Sequence, residues 1–202
     1  MSIQQSGCSN ARRVAARAFA AVLMAALARD ATAQTLYAPR AVKATYANGT
    51  RSLDGRPGAK YWQNHGRYTI SIATSPPDRR VSGTEQITYT NNSPDTLASI
   101  VIKLLDNFHK AGAPRDGGTS ADFLTSGVHV RSFEVNGKEQ KWAGGPNVFT
   151  SATVKLPSPL LPHTSVQLAF EWWYDLSLRP GREGAIDSTT FYVAYFYPRV
   201  AV

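Results

Sequence analysis

Between residues 67 and 197, apolar side chains recur at every second position, the period of strands and not of helices. Arg67–Thr74 (RYTISIAT) alternates Tyr68, Ile70 and Ile72 with polar neighbours. Ser75-Pro76-Pro77-Asp78 then marks a turn, because consecutive prolines offer no ladder donors and fix φ. Val81–Asn91 (VSGTEQITYTN) sets Ile87 and Tyr89 on one side with threonines between. The two segments predict an antiparallel hairpin with one wet face. Asn91–Asp95 is a second turn. Leu97–Leu105 (LASIVIKLL) is more continuously apolar, and its β-branched Ile100, Val101 and Ile102 favour a central strand over a short helix.

Phe108–Ser126 is polar and rich in glycine, which predicts a long loop. In Gly127–Val135 the inward series slips by one between Val130 and Phe133, the signature of a β-bulge. Asn136-Gly137 predicts a tight hairpin whose return strand contains Trp142. Val148–Leu156 is a further strand, expected to stop at the prolines Pro157, Pro159 and Pro162. Ser165–Tyr174 places Val166, Leu168, Phe170, Trp172 and Tyr174 on one face, and Thr189–Tyr197 is a last, aromatic strand. No segment after residue 33 sustains a helical period. The predicted fold class is all-β, an antiparallel β-sandwich or saddle-shaped double sheet.

The N-terminus follows another pattern. Arg12, Arg13 and Arg17 precede an apolar run, Ala18–Ala28, and then the small residues Ala31-Thr32-Ala33. A basic lead, a short apolar core and an A-x-A site read as a secretory signal peptide over residues 1–33. The run is too short for a stable anchor, so the mature chain is expected to be exported, periplasmic or extracellular, with no membrane anchor. Cys8, the single cysteine, goes with the signal, which leaves no disulfide and no thiolate metal cluster. Residues 34–60 have no period and read as an extended lead-in; residues 61–202 are the β-domain.

The formal charge of +8, from 22 Lys and Arg against 14 Asp and Glu, draws part of its excess from the signal. The remaining basic residues are scattered, with Arg79-Arg80 the one adjacent pair, so no nucleic-acid partner is expected.

Catalytic patterns are sparse. His65, His109, His129 and His163 lie too far apart in sequence for H-E-x-x-H and read as surface or turn residues. There is no G-x-S-x-G and no glycine-rich phosphate loop. Glu171 and Asp175 flank Trp172-Trp173, which raises a glycosidase pair as one reading and a solvated strand face as the other. The aromatics, Trp62, Trp142, Trp172 and Trp173 among them, suit a core or a sugar platform, and their alternation favours the core.

Three stretches resemble the N-terminal domain of the aminopeptidase N family of zinc metallopeptidases. The first is Tyr68–Thr74 with Val81–Asn92 and Ile100–Leu104; the second is Val135-Asn136-Gly137 with Val154–Leu161 (VKLPSPLL) and Val166–Trp173; the third is Phe191–Arg199 (FYVAYFYPR). The first stretch is similar to the family's opening strand and its G-x-E/x-I-x-x-x-N pattern. The second is similar to its V-N-G, L-P-x-P-L and alternating succession. The third is similar to the segment that closes the domain. The resemblance covers residues 60–202.

It implies a saddle-shaped β-domain that walls the substrate cleft of a catalytic domain. The family's H-E-x-x-H zinc helix and G-x-M-E-N-type loop are not in this sequence, so the chain is expected to be a fragment of a zinc aminopeptidase, inactive by itself. No cofactor is assigned to this chain, zinc belonging to the missing catalytic domain, and peptide substrates are partners only through that domain. The family touches the substrate amine with a glutamine before the closing proline; counting back from Pro198 reaches Asp187 here, so the resemblance names Asp187, with Tyr195, as substrate contacts. The alternative is a secreted β-sandwich binding module for carbohydrate or a protein partner.

Overall fold

The computed structural model describes residues 37–145, 147–179 and 181–201, so the signal peptide and Cys8 lie outside the described residues. The chain divides into two units, Met1–Lys60 and Tyr61–Val202. In the first, Arg40–Ala47 forms helix α1, with Pro39 before it and Asn48 after it. The lead-in is therefore not extended throughout. Its RAVKATYA sequence is rich in alanine, the best helix former, but eight residues are too few to display a period.

The second unit is built of antiparallel strands. The first five described in chain order are β1 (His65–Thr74), β2 (Arg80–Asn91), β3 (Leu97–Lys103), β4 (His129–Val135) and β5 (Lys138–Glu139). They are followed by β6 (Ser151–Leu160), β7 (Thr164–Asp175), β8 (Gly184–Ala185), β9 (Phe191–Tyr192) and β10 (Arg199–Val200). One sheet has the order β1-β2-β7-β4-β5, a second β10-β3-β6, and β8 pairs with β9. The expected hairpin forms, with β1 running against β2 from His65 opposite Thr90 to Thr74 opposite Val81. The bulge falls where the pattern slips, between Val130 and Ser132 on β4. β3 is central in its sheet.

Three expectations are corrected. β6 runs on to Leu160 through Pro157 and Pro159, because it is the edge of its sheet, where a missing N–H faces no neighbour. The return strand after Asn136-Gly137 is only Lys138–Glu139, and Trp142 lies beyond it, edge-on to Phe133 and Phe170. The aromatic strand at Thr189–Tyr197 shrinks to Phe191–Tyr192; its rings pack on the core without laddering, and Tyr195 takes φ of 56°.

Both sheets share one core. β2 and β7 contribute Ile87, Tyr89, Leu168, Phe170 and Trp172, and β3 and β6 contribute Ile100, Ile102, Val154 and Leu156. The β7 stripe from Val166 to Tyr174 is buried along its length, as its alternation predicts. Gly83 makes a close approach possible: a Cβ there would lie 2.6 Å from the Trp172 ring and 2.7 Å from the Ser71 carbonyl. Two buried asparagines replace absent ladders. Asn91 donates to the carbonyls of Asp95 and Leu160, tying the end of β2 to β6. Asn107 donates to the Phe149 carbonyl and accepts from Val128 N, holding the segment after β3 against the start of β4.

Candidate functional site

Ionisable side chains converge where the chain leaves β7. After Asp175, Leu176 N donates to the Arg79 carbonyl, Leu178 N to the Asp122 carbonyl and Ala185 N to the Ser177 carbonyl. These bonds fold the segment back so that Glu183 enters the interior. His109 comes from the 3-10 turn Leu105–His109 and is 3% exposed, a correction to its reading as a surface residue. Its Nε2 lies 2.6 Å from Glu183 Oε1, and its Nδ1 donates to the Phe123 carbonyl at 2.8 Å. The rings of Phe108 and Phe123 pack against the imidazole at centroid distances of 3.9 and 4.2 Å.

Asp106, on the same turn, is also buried, and so is Tyr174. Among the described residues, with both acids ionised, the two Asp106 oxygens and Glu183 Oε2 lack any donor, and the Tyr174 hydroxyl lacks a partner. A proton on Asp106 gives that carboxyl a hydrogen bond to Glu183. Burial first, then this bond and the Glu183 charge, raise the Asp106 pKa far above the usual carboxylate range. Burial, with the same two acids, also raises that of Tyr174. The cluster is thus two buried carboxyls beside a buried histidine, and through His109 it ties the Leu105–His109 turn to the segments carrying Phe123 and Glu183.

Zinc is the metal implied by the resemblance, and these residues do not fit it. Zinc takes its donors at about 2.0–2.2 Å and spreads them tetrahedrally. His109 and Glu183 instead close on one another at hydrogen-bond distance, leaving no space for an ion. Among the described residues no group of three His, Cys, Asp or Glu side chains is arranged to hold a metal.

A third buried acid stands alone. Glu85 points inward from β2 between cross-strand neighbours Ile70 and Phe170, is 2% exposed, and has no partner for either oxygen among the described residues. Loss of hydration raises its pKa to about 8.

An open cleft of about 680 Å³ lies beside the cluster's outer segment, lined by Arg79, Arg80, Asp175, Leu178, Ile186 and Asp187 among others. Asp187 Oδ1 accepts from Thr189 N, Thr189 Oγ1 and Thr190 N, all within 2.9 Å. Those bonds lower its pKa, so a charged carboxylate stands at the rim. Tyr195 does not line this cleft; its hydroxyl accepts from Arg182 at 3.0 Å. The two residues named by the resemblance are therefore not brought together.

On the outer face of the larger sheet, Asp175 pairs with Arg80 and Glu171 with Arg131. Each carboxylate is spent on its own arginine, which leaves the solvated-face reading. Trp173 is stacked on His129 at 3.9 Å and covered by the Arg80 guanidinium at 3.8 Å. With both ring faces occupied, it is no sugar platform.

Sequence reasoning missed the meeting of Asp106, His109 and Glu183, and it missed the isolated Glu85. Glu85 was accessible to it, since parity with Ile87 and Tyr89 places it inward. The other three come from irregular segments whose meeting no local spacing encodes.

No protein-family model and no curated protein matches the chain. Among solved structures, the M1 zinc metallopeptidase of Deinococcus radiodurans is similar at 18% identity and a TM-score of 0.42, over 66% of this chain and 26% of that one. A variant of it bound to a Tyr-Ser-Ala substrate gives 19% identity and a TM-score of 0.41, over 64% and 25%. The matched part thus spans about a quarter of the length of those proteins.

Proposed function

We propose that the Tyr61–Val202 unit is the non-catalytic β-domain of an exported aminopeptidase N-like zinc metallopeptidase, walling the substrate cleft of a catalytic domain contributed by other polypeptide. The observation that carries this reading is the way the resembling stretches pair. Val135-Asn136-Gly137 ends β4 beside β7, where Val135 stands opposite Leu168 and Asn136 Oδ1 accepts from Gln167 N at 2.9 Å. Val154–Leu160 lies against Ile100 and its neighbours on β3, and Arg199-Val200 adds to the other side of β3. The stretches thus form one scaffold whose members depend on each other. Asp187, charged at the rim of its cleft, is suited to a substrate ammonium group, and it is the contact this reading assigns; Tyr195 stands with it in the proposal through the resemblance alone.

The test is reconstitution. The chain is titrated into a zinc-loaded catalytic domain bearing H-E-x-x-H, and cleavage of free and N-acetylated peptides is compared. The reading expects the chain to increase discrimination in favour of free N-termini, and Asp187→Ala to reduce that gain. No change in discrimination at saturating chain contradicts it.

A further inference from the structure

β1 ends its sheet, and its outer edge pairs with no strand among the described residues. Such an edge offers a row of free backbone donors and acceptors, which folded proteins protect with prolines, lysines, bulges or shortness. The other edges here carry those protections. β6 has Lys155, Pro157 and Pro159, β5, β8, β9 and β10 are two residues each, and β4, which β5 covers only at Glu134 and Val135, carries Arg131 within its bulge. β1 has none of them from Tyr68 to Thr74. It is ten residues long, keeps an unbroken register with β2, and bears no charge, proline or bulge over that stretch. Ile72 on it is 49% exposed, more than Tyr68 or Ile70 on the same face.

We propose that β1 is a self-association surface, on which β1 of a second copy adds antiparallel about a two-fold axis at Ile70. The sequence is self-complementary in that register. Gly66 falls opposite Thr74, Arg67 opposite Ala73, Tyr68 opposite Ile72, Thr69 opposite Ser71, and Ile70 opposite itself. No like charges meet, since the arginines of the two copies lie at opposite ends. The exposed Ile72 gains the Tyr68 ring of its mate, an aromatic–β-branched pair of the kind that stabilises cross-strand contacts. The register uses nearly the whole strand, and because the axis is perpendicular to the sheet, the outer polar faces of both copies stay on one side. The product is a ten-stranded sheet continuous across two chains.

The test uses the full chain in sedimentation velocity from low to high micromolar concentration. Thr69 and Ser71 are exposed, so both accept charge without disturbing the core. Thr69→Lys with Ser71→Lys sets lysine opposite lysine twice across the axis. Thr69→Lys with Ser71→Glu sets lysine opposite glutamate at the same two places. The parent chain is expected to move from monomer toward dimer as concentration rises. The Lys/Lys variant should associate about tenfold more weakly or not at all, and the Lys/Glu variant at least as well as the parent. A parent chain that stays monomeric at every concentration overturns the proposal. So does a dimer that both variants weaken equally, or that neither changes.

Discussion

Replacing Glu85 by Gln isolates the cost of one buried acid. The carboxyl is 2% exposed, lies between Ile70 and Phe170, and finds no partner among the described residues. Its pKa rises from 4.5 to about 8 through loss of hydration. The folded state therefore keeps this proton where the unfolded state releases it, and unfolding becomes easier as pH rises through that window. A full unit of pH within the window is worth about 1.4 kcal/mol. Between pH 5.5 and 7.5 the parent chain should lose roughly 3 kcal/mol through Glu85, a large share of a typical stability of about 5–15 kcal/mol. Glu85→Gln is close in shape and does not titrate, so its advantage over the parent should grow by that amount across the same interval. The assay is urea unfolding followed by tryptophan fluorescence at three pH values in the interval. Parallel stability curves for the two proteins would refute the reasoning, because they would mean that Glu85 is hydrated or paired in the folded state.

Other perturbations have equally definite outcomes. Asp106→Asn removes a second acid whose raised pKa acts with the same sign, so it should flatten the decline in stability with rising pH, measured by the same unfolding series. His109→Ala strands Glu183 in the interior and should cost about 3–5 kcal/mol in denaturant unfolding, whereas Arg131→Ala, which breaks an exposed pair, should cost no more than about 1 kcal/mol. Gly83→Ala drives a methyl into the Trp172 ring and the Ser71 carbonyl and should cost about 1–3 kcal/mol, visible as a lowered Tm.

The sheets were legible because their physics is local. Alternation on β7 fixes which face is buried, the Pro76-Pro77 turn joins β1 to β2, and the slip between Val130 and Phe133 locates the bulge. What was not legible depends on position within a sheet or on distant meetings. Whether Pro157 and Pro159 stop a strand depends on its being central or at an edge, and the order of strands settles that. The aromatic run after Thr189 alternates like a strand, yet the rings of Phe196 and Tyr197 pack on Trp172 and Tyr68, and that packing overrides the ladder. His109 and Glu183 meet across loops of irregular conformation, and only the tertiary fold gives that distance. The outer sheet face was half legible: Glu171 and Asp175 share it, but their arginine partners come from other strands.

The most direct measurement is turnover of an aminoacyl-arylamide by the purified full chain with added zinc, with and without a chelator. The account predicts no release of arylamine beyond the buffer rate in either condition, since the buried histidine closes on Glu183 and among the described residues no three His, Cys, Asp or Glu side chains are arranged to hold a metal. Chelator-sensitive turnover that disappears in His109→Ala would contradict it, by placing a working metal centre within this chain.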